Sequence, residues 1–162
     1  MSSEIQFYKS EIATEKFAKL VGSEDVPLFS EEDIYRALKS LFEGKERVSK
    51  EYVEALFESV ELDGLLTLSD NDLENIDPQF SDNLKYLFDR EKQPFSFVDK
   101  KLWQNLEKII VGKILEAASY NNESNENNES YKERLDNINY IIKDYIRLKE
   151  LFQQKNLFIA VC

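Results

Sequence analysis

Only four glycines and three prolines interrupt 162 residues, so long stretches of this chain have nothing to stop a helix. Apolar residues between those stops fall at helical spacing. The first helix is expected from Ser3 to Val21, through Ile5, Tyr8, Ile12, Phe17 and Leu20, with Gly22 as its stop. Ser30 opens a second, where Asp33 can reach back to complete a capping box, and Ile34, Ala37, Leu38, Leu41 and Phe42 form its stripe up to Gly44. A third starts at Ser49 and carries Val53, Leu56, Phe57 and Val60 until Asp63-Gly64 breaks it.

Four residues, Leu65 to Leu68, are too few for periodicity to separate an extended connector from a first helical turn. Ser69 then caps a short helix with Leu73 and Ile76, which Asp77-Pro78 must end because proline disfavours helical geometry in the residue before it. Phe80, Leu84, Leu87 and Phe88 mark a fifth helix. After Pro94, a long helix from Asp99 to Ala118 presents Leu102, Leu106, Ile109, Ile110 and Ile114, the widest apolar face of the chain.

An Asn- and Glu-rich tract with nothing to bury then separates two parts, giving a helical bundle over 1–119, a flexible linker over 120–130 and a C-terminal unit over 131–162. In that unit, Ser130 and Glu133 suggest a capping box. The helix after them runs to about Gln154 with the stripe Leu135, Ile138, Ile142, Tyr145, Leu148 and Phe152. The apolar tail Leu157, Phe158, Ile159, Ala160, Val161 and Cys162 is expected to dock as a strand or to fill a groove in a partner, since a solvated tail of this kind aggregates. The expected fold is therefore an all-α bundle of six or seven helices ending in a short apolar tail or strand.

The absence of histidine removes imidazole-based zinc and haem chemistry and His-dependent triads, and a single cysteine cannot form an internal disulfide. No Gly-rich phosphate loop and no GxSxG elbow occurs. Acids are plentiful, but none stands beside an evident apolar cleft, so neither enzymatic activity nor a cofactor is expected. Charged residues make up 33% of the chain, too many for a membrane span. No basic segment followed by an apolar one resembles a signal peptide, which makes an intracellular location, cytoplasmic or nuclear, the expectation.

The net charge of -11 resides in residues 1–93, with 22 acids against 11 bases. From Glu51 to Leu84 no lysine or arginine occurs, and Glu51, Glu54, Glu58, Glu61, Asp63, Asp70, Asp72 and Glu74 define a candidate acidic docking surface. The plainer reading makes these carboxylates a solvated face and first-turn caps. Strong direct binding to nucleic acid is not expected of a chain this acidic, although Lys92, Lys100, Lys101, Lys108 and Lys113 are a local basic set. The run Asp70-x-Asp72-x-Glu74 begins like an EF-hand loop, but Asn75 stands where glycine is needed and Ser81 where a bidentate glutamate is needed.

A resemblance emerges from the order of the elements. Asp25-Val26-Pro27-Leu28-Phe29-Ser30-Glu31-Glu32-Asp33-Ile34, leading into an amphipathic helix, is similar to the opening of the helical domain of GINS subunits. Leu73-x-x-Ile76-Asp77-Pro78-Gln79-Phe80 resembles the entry to that family's middle helix. Leu106-x-x-Ile109-x-x-x-Lys113-Ile114-Leu115-x-x-Ala118 resembles its long helix, with Val111-Gly112 standing where the family has an arginine. Leu157 to Val161 is the one candidate for a remnant of its small β-domain. The resemblance implies a non-enzymatic scaffold subunit of a DNA-replication helicase assembly.

Together these readings favour a protein that binds other proteins in a homo- or hetero-oligomer and has no membrane-embedded part. The acidic residues above form one candidate contact. The stripe Leu135, Ile138, Ile142, Tyr145, Leu148 and Phe152, with the tail residues Leu157, Phe158 and Ile159, forms the other. The rivals are a small acidic inhibitor, immunity protein or DNA mimic that blocks a basic site, and a degenerate EF-hand-like light chain or adaptor.

Overall fold

The structure is a computed structural model that describes residues 4–10, 30–41, 57–79, 95–123 and 128–161. Its elements follow the order β1 (Ile5–Lys9), α1 (Glu31–Leu41), β2 (Glu58–Ser59), α2 (Asp70–Ile76), β3 (Phe95–Phe97), α3 (Lys100–Glu123), α4 (Asn128–Gln153) and β4 (Leu157–Val161). The strands form one antiparallel sheet in the order β2-β1-β4-β3. The fold is therefore mixed α/β and not an all-α helical bundle.

Among the described residues, strands stand where one end of each of two expected helices was placed. Ile5 and Tyr8 have helical spacing, but Ile5 and Phe7 also alternate with Gln6 and Tyr8, and the period-two reading wins because it gives each face of the segment something to pack against. Residues 11–29 lie outside the described part. The expected third helix is likewise overturned at its end, where Glu58 and Ser59 pair with Lys9 and Tyr8. Its earlier residues, and the expected helix over 80–88, lie outside the described residues.

The C-terminal tail is the second strand of the sheet's centre. Ile5, Phe7 and Lys9 of β1 face Val161, Ile159 and Leu157 of β4, while Ser96 and Phe97 of β3 face Ile159 and Phe158 from the other side. An unbroken apolar run suits this place because both of its faces are covered. Leu157 and Ile159 join Ile5 and Phe7 in a cluster with Leu102, Trp103, Leu106 and Ile110 of α3 and Ile141 and Leu148 of α4. On the opposite face, Phe158 makes edge contacts with Phe57 at 4.9 Å and Phe97 at 5.5 Å, and Tyr35 of α1 stands edge-on to Phe97 at 5.7 Å. The Tyr35 hydroxyl donates to the Phe97 carbonyl, and burial pushes its pKa up to about 12.

Several termini follow their sequence signals. Ser30 and Asp33 exchange side-chain to backbone hydrogen bonds at the start of α1, and Ser69 with Asp72 does the same for α2, which ends at Ile76 before Asp77-Pro78. Asp99 caps α3 by accepting from the Leu102 N–H. The link between α4 and β4 is a Schellman turn: Asn156 N–H donates to the Leu151 carbonyl and Lys155 N–H to that of Phe152, with Lys155 left-handed at φ 55°. The Asn156 side chain then accepts from the backbone and hydroxyl of buried Ser10, tying the turn to the end of β1.

The hairpin differs from expectation at its tip. Helix α3 runs on to Glu123 and α4 starts at Asn128, so Ser130 lies inside a helix instead of capping one. At 1.5 Å per residue these helices are about 36 Å and 39 Å long.

Candidate functional site

Helices α3 and α4 pack antiparallel. Trp103 stacks on Phe152 at 5.0 Å and on Tyr145 at 6.3 Å, and the Tyr145 hydroxyl donates to Glu107 at 2.6 Å. That bond to a carboxylate, with burial, pushes the Tyr145 pKa up to about 12. The pairing sets the register of the hairpin, so that Val111 lies level with Ile141 and Leu115 level with Leu135 and Ile138.

Each helix has three sides. One faces the sheet and holds Leu106 and Ile110 of α3 and Ile141, Asp144 and Leu148 of α4, all buried. The second faces the other helix. The third points away from the sheet, and helical spacing places Val111 and Leu115 there on α3, and Tyr131, Leu135, Ile138, Ile142 and Ile146 on α4. These are apolar yet open: Leu115 is 62% exposed, Ile146 48% and Leu135 39%. Ile138 and Ile142 are half-buried. The result is an apolar groove between two helices on the outer side of the molecule.

The stripe expected on α4 is thus divided among all three sides. Leu148 goes inward at 0% exposure, Tyr145 and Phe152 lie at the helix–helix seam, and Leu135, Ile138 and Ile142 turn outward. Leu157, Phe158 and Ile159, expected at a partner contact, are completely buried in this chain's own sheet. Val111, Leu115 and Ile146 were not among the expected contact residues. Their signal was the adjacent pairs Ile110-Val111, Ile114-Leu115 and Tyr145-Ile146, because neighbours in a helix cannot share one face.

The expected acidic surface is partly occupied by structural work. Glu58 lies 3.5 Å from Lys9 across the β1–β2 pair. Asp72 completes its capping box and lies 3.7 Å from Lys113 of α3. Asp70 accepts from the Asn71 N–H within the first turn of α2. Glu61, Asp63 and Glu74 are exposed, and Glu51 and Glu54 lie outside the described residues. Residues Asp70, Asp72 and Glu74 are helical, so this run is not an open calcium loop. Among the described residues, no group of three or more His, Cys, Asp or Glu side chains converges as a metal site. No helix among them is long and apolar enough to cross a membrane.

One carboxylate not expected from the sequence is held in the interior. Asp144 is 4% exposed and accepts from the Asp63 N–H through both oxygens, at 3.2 and 3.3 Å, while Arg147 one turn on donates to the Glu61 carbonyl. The two side chains clamp the connector from β2 to α2 onto α4, where Gly64 takes a left-handed turn at φ 84° and Leu66 and Leu68 point inward. Burial raises the Asp144 pKa above the usual carboxylate range; the Asp63 N–H and Arg147 oppose that rise, and the Asp63 carboxylate adds to it. The folded state therefore holds this proton more tightly than the unfolded chain. The stability it contributes is present in acid and is lost as pH rises through the raised value. Asp144→Asn, which stays neutral, should gain stability relative to the parent between pH 4 and pH 7 in urea titrations. A difference independent of pH would show that the carboxylate is not penalised by burial.

Comparison with protein-family models, curated proteins and solved structures finds no match to this chain. The functional reading accordingly rests on the site itself.

Proposed function

We propose that this protein acts by binding another protein, as a subunit or adaptor without catalytic activity of its own, through the outer face of the α3–α4 hairpin. The supporting observation is one of distribution. Of the seven large hydrophobic side chains exposed among the described residues, five lie on this face, Val111, Leu115, Tyr131, Leu135 and Ile146, while Tyr140 projects from the other flank of α4 and Leu65 from the connector before α2. A concentrated apolar patch on a highly charged protein marks a surface that is covered in use. The acidic-inhibitor reading has less behind it, because Glu58 and Asp72 each face a lysine of their own chain. Under the GINS resemblance the partner would belong to a replicative helicase assembly, an assignment carried by the sequence motifs alone.

The test is a double variant, Leu115→Glu with Ile146→Glu, compared with the parent chain in pull-downs from native extract. Both side chains are open, so circular dichroism and the melting temperature should stay close to those of the parent. A partner retained by the parent and lost at least tenfold by the variant is the expected result. If every partner of the parent is recovered equally with the variant, the contact lies elsewhere.

A further inference from the structure

We infer that the partner segment received by this hairpin is an acidic amphipathic helix, which lies in the groove between α3 and α4 as the third helix of a bundle; the inference rests on the outer face being the binding surface. The shape comes first. The groove has Val111 and Leu115 on one wall and Leu135, Ile138 and Ile142 on the other, and two parallel-sided walls of this kind accept a helix by its apolar stripe at i, i+3 or i+4, and i+7. From Tyr131 to Ile146 the α4 wall runs about 22 Å, or four helical turns.

Charge then selects the occupant. Although the chain carries -11 overall, helical spacing puts Lys101, Lys108, Lys132 and Lys149 along the borders of this face, and all four are exposed. Among the described residues, the acids on or beside it are Glu150 and Glu107, and Glu107 accepts from the Tyr145 hydroxyl at the seam. Lys101, Lys108 and Lys132 have no ion-pair partner among the described residues. Lys149 lies over the Tyr145 ring at 5.9 Å, held beside the groove. This arrangement matches the flanks of a coiled-coil seam, where lysines on one helix select glutamates on the next. A second copy of the chain would bring lysine against lysine, so the face disfavours self-pairing and favours an acidic partner.

The experiment selects peptides against the full chain from a displayed library of 21-residue amphipathic helices, with leucine fixed along the apolar stripe and Glu, Gln or Lys allowed at its flanks. Enrichment of Glu over Lys at the flanks is expected. A fluorescein-labelled winner should bind in anisotropy at least tenfold more tightly than its Lys-flanked counterpart, with the gap shrinking between 50 and 500 mM salt. Leu115→Glu should weaken the winner at least tenfold, and Lys108→Glu with Lys132→Glu should reverse the Glu-over-Lys preference. Neutral or basic winners that still depend on Leu115 would overturn the acidic-helix inference while leaving the outer face as the binding surface. Winners indifferent to Leu115→Glu would overturn both. A stable dimer in light scattering that Leu115→Glu dissolves, or binding to 30% phosphatidylserine vesicles without peptide selection, would overturn the inference in favour of those occupants.

Discussion

Ile159→Asp is expected to leave the chain without a cooperative unfolding transition. Ile159 has 0% exposure, stands opposite Phe7 on one side and Ser96 on the other, and reaches the cluster built by Leu106, Ile110 and Leu148. The substitution removes an apolar burial worth about 1.5–3 kcal/mol. It also places a carboxylate among the apolar side chains packed on a central strand of the sheet. Losses above about 4–5 kcal/mol come from unpaired buried charges of this kind, and the whole stability of a domain is about 5–15 kcal/mol. Far-UV circular dichroism during a thermal melt reads the outcome. A sigmoidal melt within a few degrees of the parent would mean that the C-terminal strand is not central to the fold.

The physical reasons for what the sequence revealed are visible in particular residues. Two helix starts were legible because a cap is a local object: Ser69 and Asp72 find each other three residues apart, and Ser30 and Asp33 repeat the device, whereas the same spacing at Ser130 and Glu133 lies within a helix that has already begun at Asn128. The sheet was not legible for the opposite reason. Its central pair joins Ile5 to Val161 and Lys9 to Leu157, contacts that close almost the entire chain. Nothing in Ile5-Gln6-Phe7-Tyr8-Lys9 records that a strand 150 residues away supplies its missing hydrogen bonds, and a five-residue segment fits both periods. The tail was recognisable as a buried element, since five apolar residues in a row demand cover on two sides, but the cover is the protein's own. The short edge strands β2 and β3 have two and three residues, below the length at which alternation can be read.

The candidate surface was half legible. That α4 is more apolar than one face requires can be seen from Ile141-Ile142 and Tyr145-Ile146, yet which stripe turns inward depends on the angle at which α3 and the sheet meet it. Choosing the heptad through Leu135, Ile138, Ile142 and Tyr145 combined residues that the fold separates, because Asp144 and Leu148 occupy the inward line and the outward line continues to Ile146. A buried carboxylate on the inward line is what hid it. Asp144 reads as polar in any periodicity count, but its hydrogen bonds to the Asp63 N–H make it part of the interior.

That division has a measurable consequence on a single helix. Leu148→Ala should cost about 2–5 kcal/mol, because the side chain is at 0% exposure between α3 and β4 and its removal leaves a cavity bounded by elements that cannot all close upon it. In a chain of 162 residues this lowers the melting temperature by roughly 4–20 °C. Ile142→Ala, six residues earlier on the outward line, truncates a side chain that is only half-buried, so solvent fills the space and the loss should stay below about 1.5 kcal/mol. The order should invert for binding: Leu148→Ala, measured at a temperature where the variant is folded, should leave affinity for an outer-face peptide nearly unchanged, while Ile142→Ala should reduce it several-fold. Urea titrations give the first pair of values and fluorescence anisotropy the second. If Ile142→Ala destabilises the fold as much as Leu148→Ala, the outward line is part of the core and the hairpin has no free face.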